Sequence, residues 1–217
     1  MQLEINNIGL TKYSAALEAQ NNAHEKVNSG SNPIVILCEH PHVYTFGKSA
    51  DKNNLLINPE FLKQINAEVY ETERGGDITY HGPGQLVGYP IINLRQLGIG
   101  VKKYVETLES SLITALADFN ISAYQIDGLT GIWVGGKNEM QRKIGAIGIR
   151  IKNGVSMHGF ALNVTTDLTY FNHIVPCGIT DKGVTSIAKE NGTGNLIEFS
   201  NRFVHHFSKQ MQNALAL

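Results

Sequence analysis

The amino-acid sequence predicts an α+β fold, a mixed and partly antiparallel sheet flanked by helices. Three stretches carry that expectation. Over residues 101–119, Val101, Tyr104, Val105, Leu108, Leu112, Ala115, Leu116 and Phe119 recur at helical spacing, the mark of a helix with one face in the core. Residues 143–152 and 155–164 read as strands joined by Asn153-Gly154, a pair suited to a two-residue hairpin because both turn positions need positive φ. Residues 196–215 set Leu196, Phe199, Phe203, Phe207 and Met211 on one face of a closing helix.

The remaining elements fit between these. Residues 11–28 carry Tyr13, Ala16, Leu17, Ala23 and Val27 at helical spacing, with Thr11 as the expected N-cap and Gly30 past the end. Residues 33–38 form an apolar strand. A short helix is expected from Asn58-Pro59, where a capping side chain precedes a first-turn proline. Residues 67–72 then read as a strand entering a glycine-rich stretch, and residues 85–94 as a strand leaving it. Strands are also expected at 121–126 and 130–134, whereas 167–185 shows no sustained period and reads as loop. No internal repeat or low-complexity tract interrupts the pattern.

With 217 residues and no segment resembling a linker, the chain is expected to be a single catalytic-sized domain over 1–217. A formal net charge of -1 with 17% charged residues lacks the footprint of a nucleic-acid or anionic-membrane binder. No stretch has the length of a transmembrane span, and the first residues lack a cationic region followed by an apolar run, so a soluble, cytoplasmic protein is expected; a monomer is expected too, although no sequence feature fixes the oligomeric state. In that compartment Cys38 and Cys177 are expected to be free thiols.

The stretch Arg74-Gly75-Gly76-Asp77-Ile78-Thr79-Tyr80-His81-Gly82-Pro83-Gly84-Gln85 concentrates glycines between a cation and an imidazole. It reads either as a rigid loop built around a ligand or as tight turns joining two strands. Cys177, in the loop segment Pro176-Cys177-Gly178, is the candidate nucleophile, while Cys38 ends an apolar strand and behaves as a core residue. A free thiol has a pKa of about 8.5, so a nucleophilic cysteine needs an activating neighbour. Candidates are Lys143, Lys137, His158 and His173. Lys143 reads equally as a solvated lysine at a strand base, and His158 equally as a hydrogen-bonded core histidine. Gly47-Lys48-Ser49 lacks the preceding glycine of a phosphate-binding loop, since His42 stands there. Cys38, His40 and His42 are broken by Pro41 and have no fourth ligand in view, so no metal and no cofactor is expected.

Four blocks in order resemble the lipoyl(octanoyl) transferase family: Arg74 to His81 with Gly84-Gln85, Lys143-Ile144-Gly145-Ala146-Ile147-Gly148, His158-Gly159-Phe160-Ala161-Leu162-Asn163-Val164, and Pro176-Cys177-Gly178-Ile179. Gly145 departs from the alanine common at that position. The resemblance implies the biotin/lipoate-protein ligase catalytic fold. It also implies octanoyl transfer from octanoyl acyl carrier protein, through a Cys177 thioester, to a lysine of lipoyl domains in lipoate biosynthesis. Acceptors would be the lipoyl domains of 2-oxoacid dehydrogenases and the glycine cleavage H protein. By the same resemblance Cys177 and Lys143 are catalytic. Arg74, Gly75, Gly76, Asp77, Ile78, Thr79, Tyr80, His81, Ala146, Ile147, Gly148, His158, Gly159 and Phe160 would bind substrate. Two other readings remain: an ATP-dependent lipoate or biotin ligase of the same fold, and a noncatalytic module that binds lipoyl domains or acyl carriers.

Overall fold

The computed structural model describes residues 2–136, 139–175 and 182–215. Its strands and helices follow in chain order as β1 (Glu4–Leu10), α1 (Tyr13–Asn28), β2 (Ile34–Glu39), β3 (Val43–Phe46), α2 (Pro59–Gln64), β4 (Glu68–Glu71), β5 (Thr79–His81) and β6 (Gln85–Ile91). The second half comprises α3 (Leu94–Leu97), α4 (Val101–Ala117), β7 (Ala123–Ile126), β8 (Leu129–Val134), β9 (Arg142–Lys152), β10 (Val155–Asn163), β11 (Gly183–Val184), α5 (Ile187–Asn191) and α6 (Leu196–Leu215). An eight-stranded sheet has the order β1-β2-β6-β10-β9-β8-β7 with β11 on β9, and a three-stranded sheet has the order β4-β3-β5. The β1/β2, β3/β4 and β9/β11 pairs are parallel and the others antiparallel, as a mixed, partly antiparallel sheet requires.

Burial explains the layering. Every residue of β6 and of β10 is buried, which a strand achieves only when both faces of the sheet are covered. On one face Ala16, Ala23 and Val27 of α1 pack on Ile34, Ile36, Val87, Tyr89 and Ala161. On the other, α4 and α6 close over Val35, Leu37, Leu86, Phe160 and Leu162. The aromatic stripe of α6 centres that layer, with Phe203 4.4 Å from the Phe160 ring and 5.3 Å from Phe207, centroid to centroid. A third cluster, including Tyr44, Ile78, Tyr80, Phe171 and Ile174, underlies the small sheet.

The hairpin turn behaves as expected, with φ of 55° at Asn153 and 84° at Gly154. Asn58 caps α2 by accepting the Phe61 N–H at 2.9 Å. Three expectations need correction. Thr11 does not cap α1, which begins at Tyr13 after Lys12, because the Thr11 hydroxyl donates backwards to the Ile8 carbonyl at 2.6 Å. The strand from Gln85 stops at Ile91, since the Asn93 side chain accepts the Gln96 N–H at 3.0 Å and starts α3. Within 167–185 lie a 3-10 turn over Leu168–His173, capped by Asp167, and the short β11. Among the elements without a sequence signal, β1, β3 and β5 are an exposed polar edge strand and two strands of four and three residues, too short or too polar to show a period.

Phe203 is fully buried at the centre of the α6 layer. Phe203→Ala is expected to cost about 3–5 kcal/mol, read from urea unfolding, whereas a loss below about 1 kcal/mol would mean that α6 does not carry the core.

Candidate active site

The site begins with an irregularity in the centre of the large sheet. The register that pairs Phe160 with Gly88, and in which Ser156 N–H donates to the Ile92 carbonyl at 2.9 Å, sets His158 across from Pro90. Proline has no N–H to give, so the ladder cannot close there. The neighbours repair the break. Ser156 Oγ and Tyr104 OH donate to the Pro90 carbonyl at 2.7 and 3.1 Å, and His158 N–H donates to Gln20 Oε1 of α1 at 3.0 Å. His158 takes a φ of 55°, a conformation rare outside glycine that marks a constrained site. Gly159 follows because a Cβ there would stand 2.1 Å from the Gly88 carbonyl oxygen, and Gly88 in turn makes room for the Phe160 ring, 2.2 Å from where its own Cβ would be.

The first part of the glycine stretch, residues 74–78, is a loop folded over the edge of β9, whereas the rest is strand β5 and a tight turn into β6, closed by Gln85 N–H donating to the Gly82 carbonyl at 3.2 Å. Gly75 N–H donates to the Ile149 carbonyl at 2.9 Å. Arg74 threads back through the loop and is buried, with its guanidinium donating to the Thr45 hydroxyl at 3.0 Å, the Asp77 carbonyl at 2.8 Å and the Gly75 carbonyl at 3.0 Å, as well as to the Thr45 carbonyl. This close approach needs glycine opposite the loop. A Cβ at Gly47 would stand 2.1 Å from the Gly76 carbonyl oxygen, and one at Gly148 would stand 2.9 Å from that of Gly75.

Between loop and sheet lies a cavity of about 270 Å³. One wall is the backbone of 74–79, and the other is β9 and β10 through Gly145, Ala146, Ile147, Gly148, His158, Gly159, Phe160 and Ala161. Towards one side it meets Tyr13, Val87, Tyr89 and His81, and at the base of β9 it meets Trp133, Lys143, Lys182, Gly183 and Val184. The Lys143 Nζ lies 4.7 Å from the centroid of the buried Trp133 ring and 3.4 Å from the Thr130 carbonyl oxygen, so the ring face and a carbonyl both orient the ammonium.

Side-chain hydrogen bonds fix the protonation pattern behind this cavity. Gln85 Nε2 donates to the Tyr80 carbonyl at 3.2 Å and to Asn163 Oδ1 at 2.9 Å, which leaves Gln85 Oε1 to accept from His81 Nδ1 at 2.8 Å. His81 Nε2 then accepts the Thr45 hydroxyl at 3.4 Å. His81 is therefore a neutral Nδ1–H tautomer. Burial, then repulsion from His40, pushes its pKa down to about 3. Burial, then the neighbouring Arg74 charge, lowers His158 to about 4. Both imidazoles are neutral donors and acceptors at neutral pH. Tyr13, its ring stacked 6.3 Å from His81, is pushed up to about 12 by burial and stays a phenol.

The expected substrate-binding residues thus gather round one cavity, with one exception. Tyr80 is fully buried beneath it, its hydroxyl 2.8 Å from His42 Nδ1 and its ring stacked 4.9 Å from Tyr170, so it supports the loop from below. Cys177 and Lys137 lie outside the described residues. His173 points elsewhere, its Nδ1 2.7 Å from the Tyr44 hydroxyl. Arg142 and Arg150 face Glu190 at 3.0 Å and Glu73 at 3.2 Å. Tyr13, Trp133, Gln85 and Asn163 also line the cavity, although the sequence reading did not count them among the binding residues. Gln85 and Asn163 were the detectable ones, as polar side chains at the ends of otherwise apolar strands. Gly47→Ala is expected to lower stability by about 1–3 kcal/mol and to speed amide exchange at Gly75, because its Cβ must displace the loop backbone. Exchange at Gly75 identical to the wild-type protein would refute the bracing role.

Residues 12–208 match the family model described as the lipoyl protein ligase A/B catalytic domain. The chain is 50% identical over 189 residues to the octanoyltransferase of Bacteroides fragilis, covering 84% of this chain and 86% of that one. It is 55% identical over 170 residues to the octanoyltransferase of Cytophaga hutchinsonii, covering 78% of this chain and 69% of that one. Among solved structures, lipoate-protein ligase A bound with ATP superposes with a TM-score of 0.80 at 16% identity, over 98% of this chain and 86% of that one, a likeness of fold alone. With the family model spanning all but the two ends, and half the aligned residues shared with named octanoyltransferases, this chain belongs to the lipoyl protein ligase A/B catalytic-domain family, on its octanoyltransferase side.

Proposed function

We propose that this octanoyltransferase moves an octanoyl group from octanoyl acyl carrier protein, through a thioester on Cys177, to a lysine side chain of a lipoyl domain. The observation that carries the reading is the placement of Lys143 at one end of a cavity walled by glycine, alanine, isoleucine and phenylalanine, beside the β11 strand that follows Cys177 closely in sequence. Small residues on β9 leave a slot for a flexible alkyl chain, and Phe160 and Ile147 supply apolar contact. His81, hydrogen-bonded to Gln85 and Thr45, and His158 border the cavity as neutral imidazoles at the working pH, without adding charge beside an acyl chain.

The chemistry follows from the residue types. The Cys177 thiolate attacks the thioester carbonyl of the donor, the carrier's thiolate leaves, and the acyl group is held on Cys177. A neutral lysine amine of the acceptor then attacks that carbonyl, the Cys177 thiolate leaves, and the amine gives up its proton. Exchange between thioesters is close to isoenergetic and amide formation from a thioester runs downhill, so ATP has no part in either step. Lys143 raises the thiolate fraction, by its charge beside the sulfur or by taking the thiol proton. Both tetrahedral oxyanions need N–H donors. Gly75 N–H is committed to Ile149, which removes it from that role, whereas Gly76, a lining residue of the same cavity, has an N–H that makes no hydrogen bond among the described residues.

Incubation with octanoyl acyl carrier protein, without ATP, is expected to add one octanoyl mass to the intact protein and none to Cys177→Ser. An adduct retained in Cys177→Ser, or acyl transfer that requires ATP, would overturn the mechanism and favour a ligase. Lys143→Met is expected to slow acylation by about 10²–10⁴-fold and to move the pH midpoint of iodoacetamide labelling upward. The labelling reports Cys177, because Cys38 is buried and its thiol is pushed up to about 12 by burial. A midpoint identical to that of the wild-type protein would remove Lys143 from the activation of the thiol.

A further inference from the structure

Lys143 is held in place through its backbone by an unusually short strand. Along β9, pairing with β10 runs from Lys152 to Gly145 and stops there. At Arg142 and Lys143 that edge passes to β11, a strand of two residues that pairs Gly183 with Arg142 and Val184 with Lys143. Thr185 N–H continues the ladder, donating to the Lys143 carbonyl at 3.0 Å. A ladder this short does not hold itself in water, so side chains must secure it.

They do so through a compact cluster. The fully buried Thr185 hydroxyl donates to Glu190 Oε1 at 2.5 Å, and its carbonyl accepts Asn163 Nδ2 at 3.0 Å. Glu190 in turn takes both prongs of Arg142, the residue before Lys143, from Nε at 3.0 Å and from the terminal nitrogen at 3.1 Å. This fork geometry specifies orientation as well as energy. The pair is largely sheltered, with side-chain exposures of 24% for Arg142 and 19% for Glu190, and the Arg142 hydrogen bonds hold the Glu190 carboxyl below its usual range. Glu190 itself is anchored, because α5 is capped by Ser186 and its Ala188 N–H donates to the Val164 carbonyl at 2.9 Å, just beyond the end of β10. Asn163 then passes the connection through Gln85 and His81 to Thr45, the residue that receives Arg74. One hydrogen-bonded line therefore joins the base of β9 to the glycine loop across the cavity.

We propose that Thr185 and Glu190 are positioning residues for Lys143: locked to Arg142, they hold β11 against the base of β9 and so set where the Lys143 ammonium stands. Neither side chain is needed to touch substrate. The inference rests on the reading of Lys143 as the activator of the thiol, and its test separates the two. Thr185→Val removes the hydroxyl at nearly constant shape, Thr185→Ser keeps it, and Glu190→Gln removes the charge. In the full-length enzyme, Thr185→Val and Glu190→Gln are each expected to lower kcat by about tenfold or more, with KM changed less than about twofold. The iodoacetamide midpoint should move in the direction seen for Lys143→Met, Thr185→Ser should restore it, and Thr185→Val added to Lys143→Met should produce no further shift. Unchanged midpoints in Thr185→Val and Glu190→Gln, beside a shifted Lys143→Met, overturn the proposal and leave the role of Lys143 intact. So does an activity loss that only follows the loss of folded protein. An unshifted Lys143→Met overturns both. If Thr185→Val does not fold, Glu190→Gln with its partly exposed side chain carries the same comparison.

Discussion

The site depends on the buried guanidinium of Arg74. A cation removed from water is costly unless its donors are satisfied, and here they meet the carbonyls of Thr45, Gly75 and Asp77 and the Thr45 hydroxyl. Those acceptors lie on the glycine loop and on β3, so solvating the charge and shaping the loop are the same event. The glycines at 47 and 148 are the steric condition for it, since a side chain at either would meet the loop's own carbonyl oxygens. Arg74 therefore acts on the cavity from behind its wall, by making a backbone surface rigid enough to face a ligand.

The second constraint is Pro90 in a central strand. Sheets normally confine proline to edges, because a missing N–H leaves a hole in the ladder. Here the hole is filled by side chains from α1, α4 and β10, and the strained His158 backbone is the visible cost. Next to it Gly159 pairs with Gly148, so the two strands present no side chains at this rung on the cavity wall. The cavity forms where the regular sheet gives way, between elements whose burial keeps the rest of it closed.

The two sides of the cavity carry different titratable side chains. The side near Tyr13, Tyr89, His81 and His158 holds groups that are polar yet neutral at physiological pH, each kept so by burial. The opposite side brings Lys143 and Lys182 together with Trp133. In the proposed thioester chemistry Lys143 is the cation near the ionising sulfur, and the neutral imidazoles and phenols stand beside the alkyl chain. The Thr185–Glu190–Arg142 cluster connects the ends, because the strand it locks belongs to the cationic side while its extension through Asn163 and Gln85 reaches the neutral one.

Period and turn chemistry, which are local, were readable from the chain: the stripes of α4 and α6, the Asn153-Gly154 hairpin, the Asn58-Pro59 helix start, and the four blocks that mark the family. The course of residues 74–85 was not, since the same glycines serve a loop and a tight turn, and the close approach of the loop rests on Gly47 and Gly148, distant in sequence. Trp133 beneath Lys143 depends on the β8–β9 register, which shifts between Ile132 and Trp133 and leaves no trace in composition. Tyr80 was grouped with the binding residues because the motif is contiguous, yet alternation along β5 turns its ring away from the cavity and into the core. The sequence by itself determined which residue types are present for acyl transfer and the order of the elements that carry them. Tertiary structure alone decided which of them share a cavity, because that rests on hydrogen bonds and close backbone contacts between segments far apart in the chain.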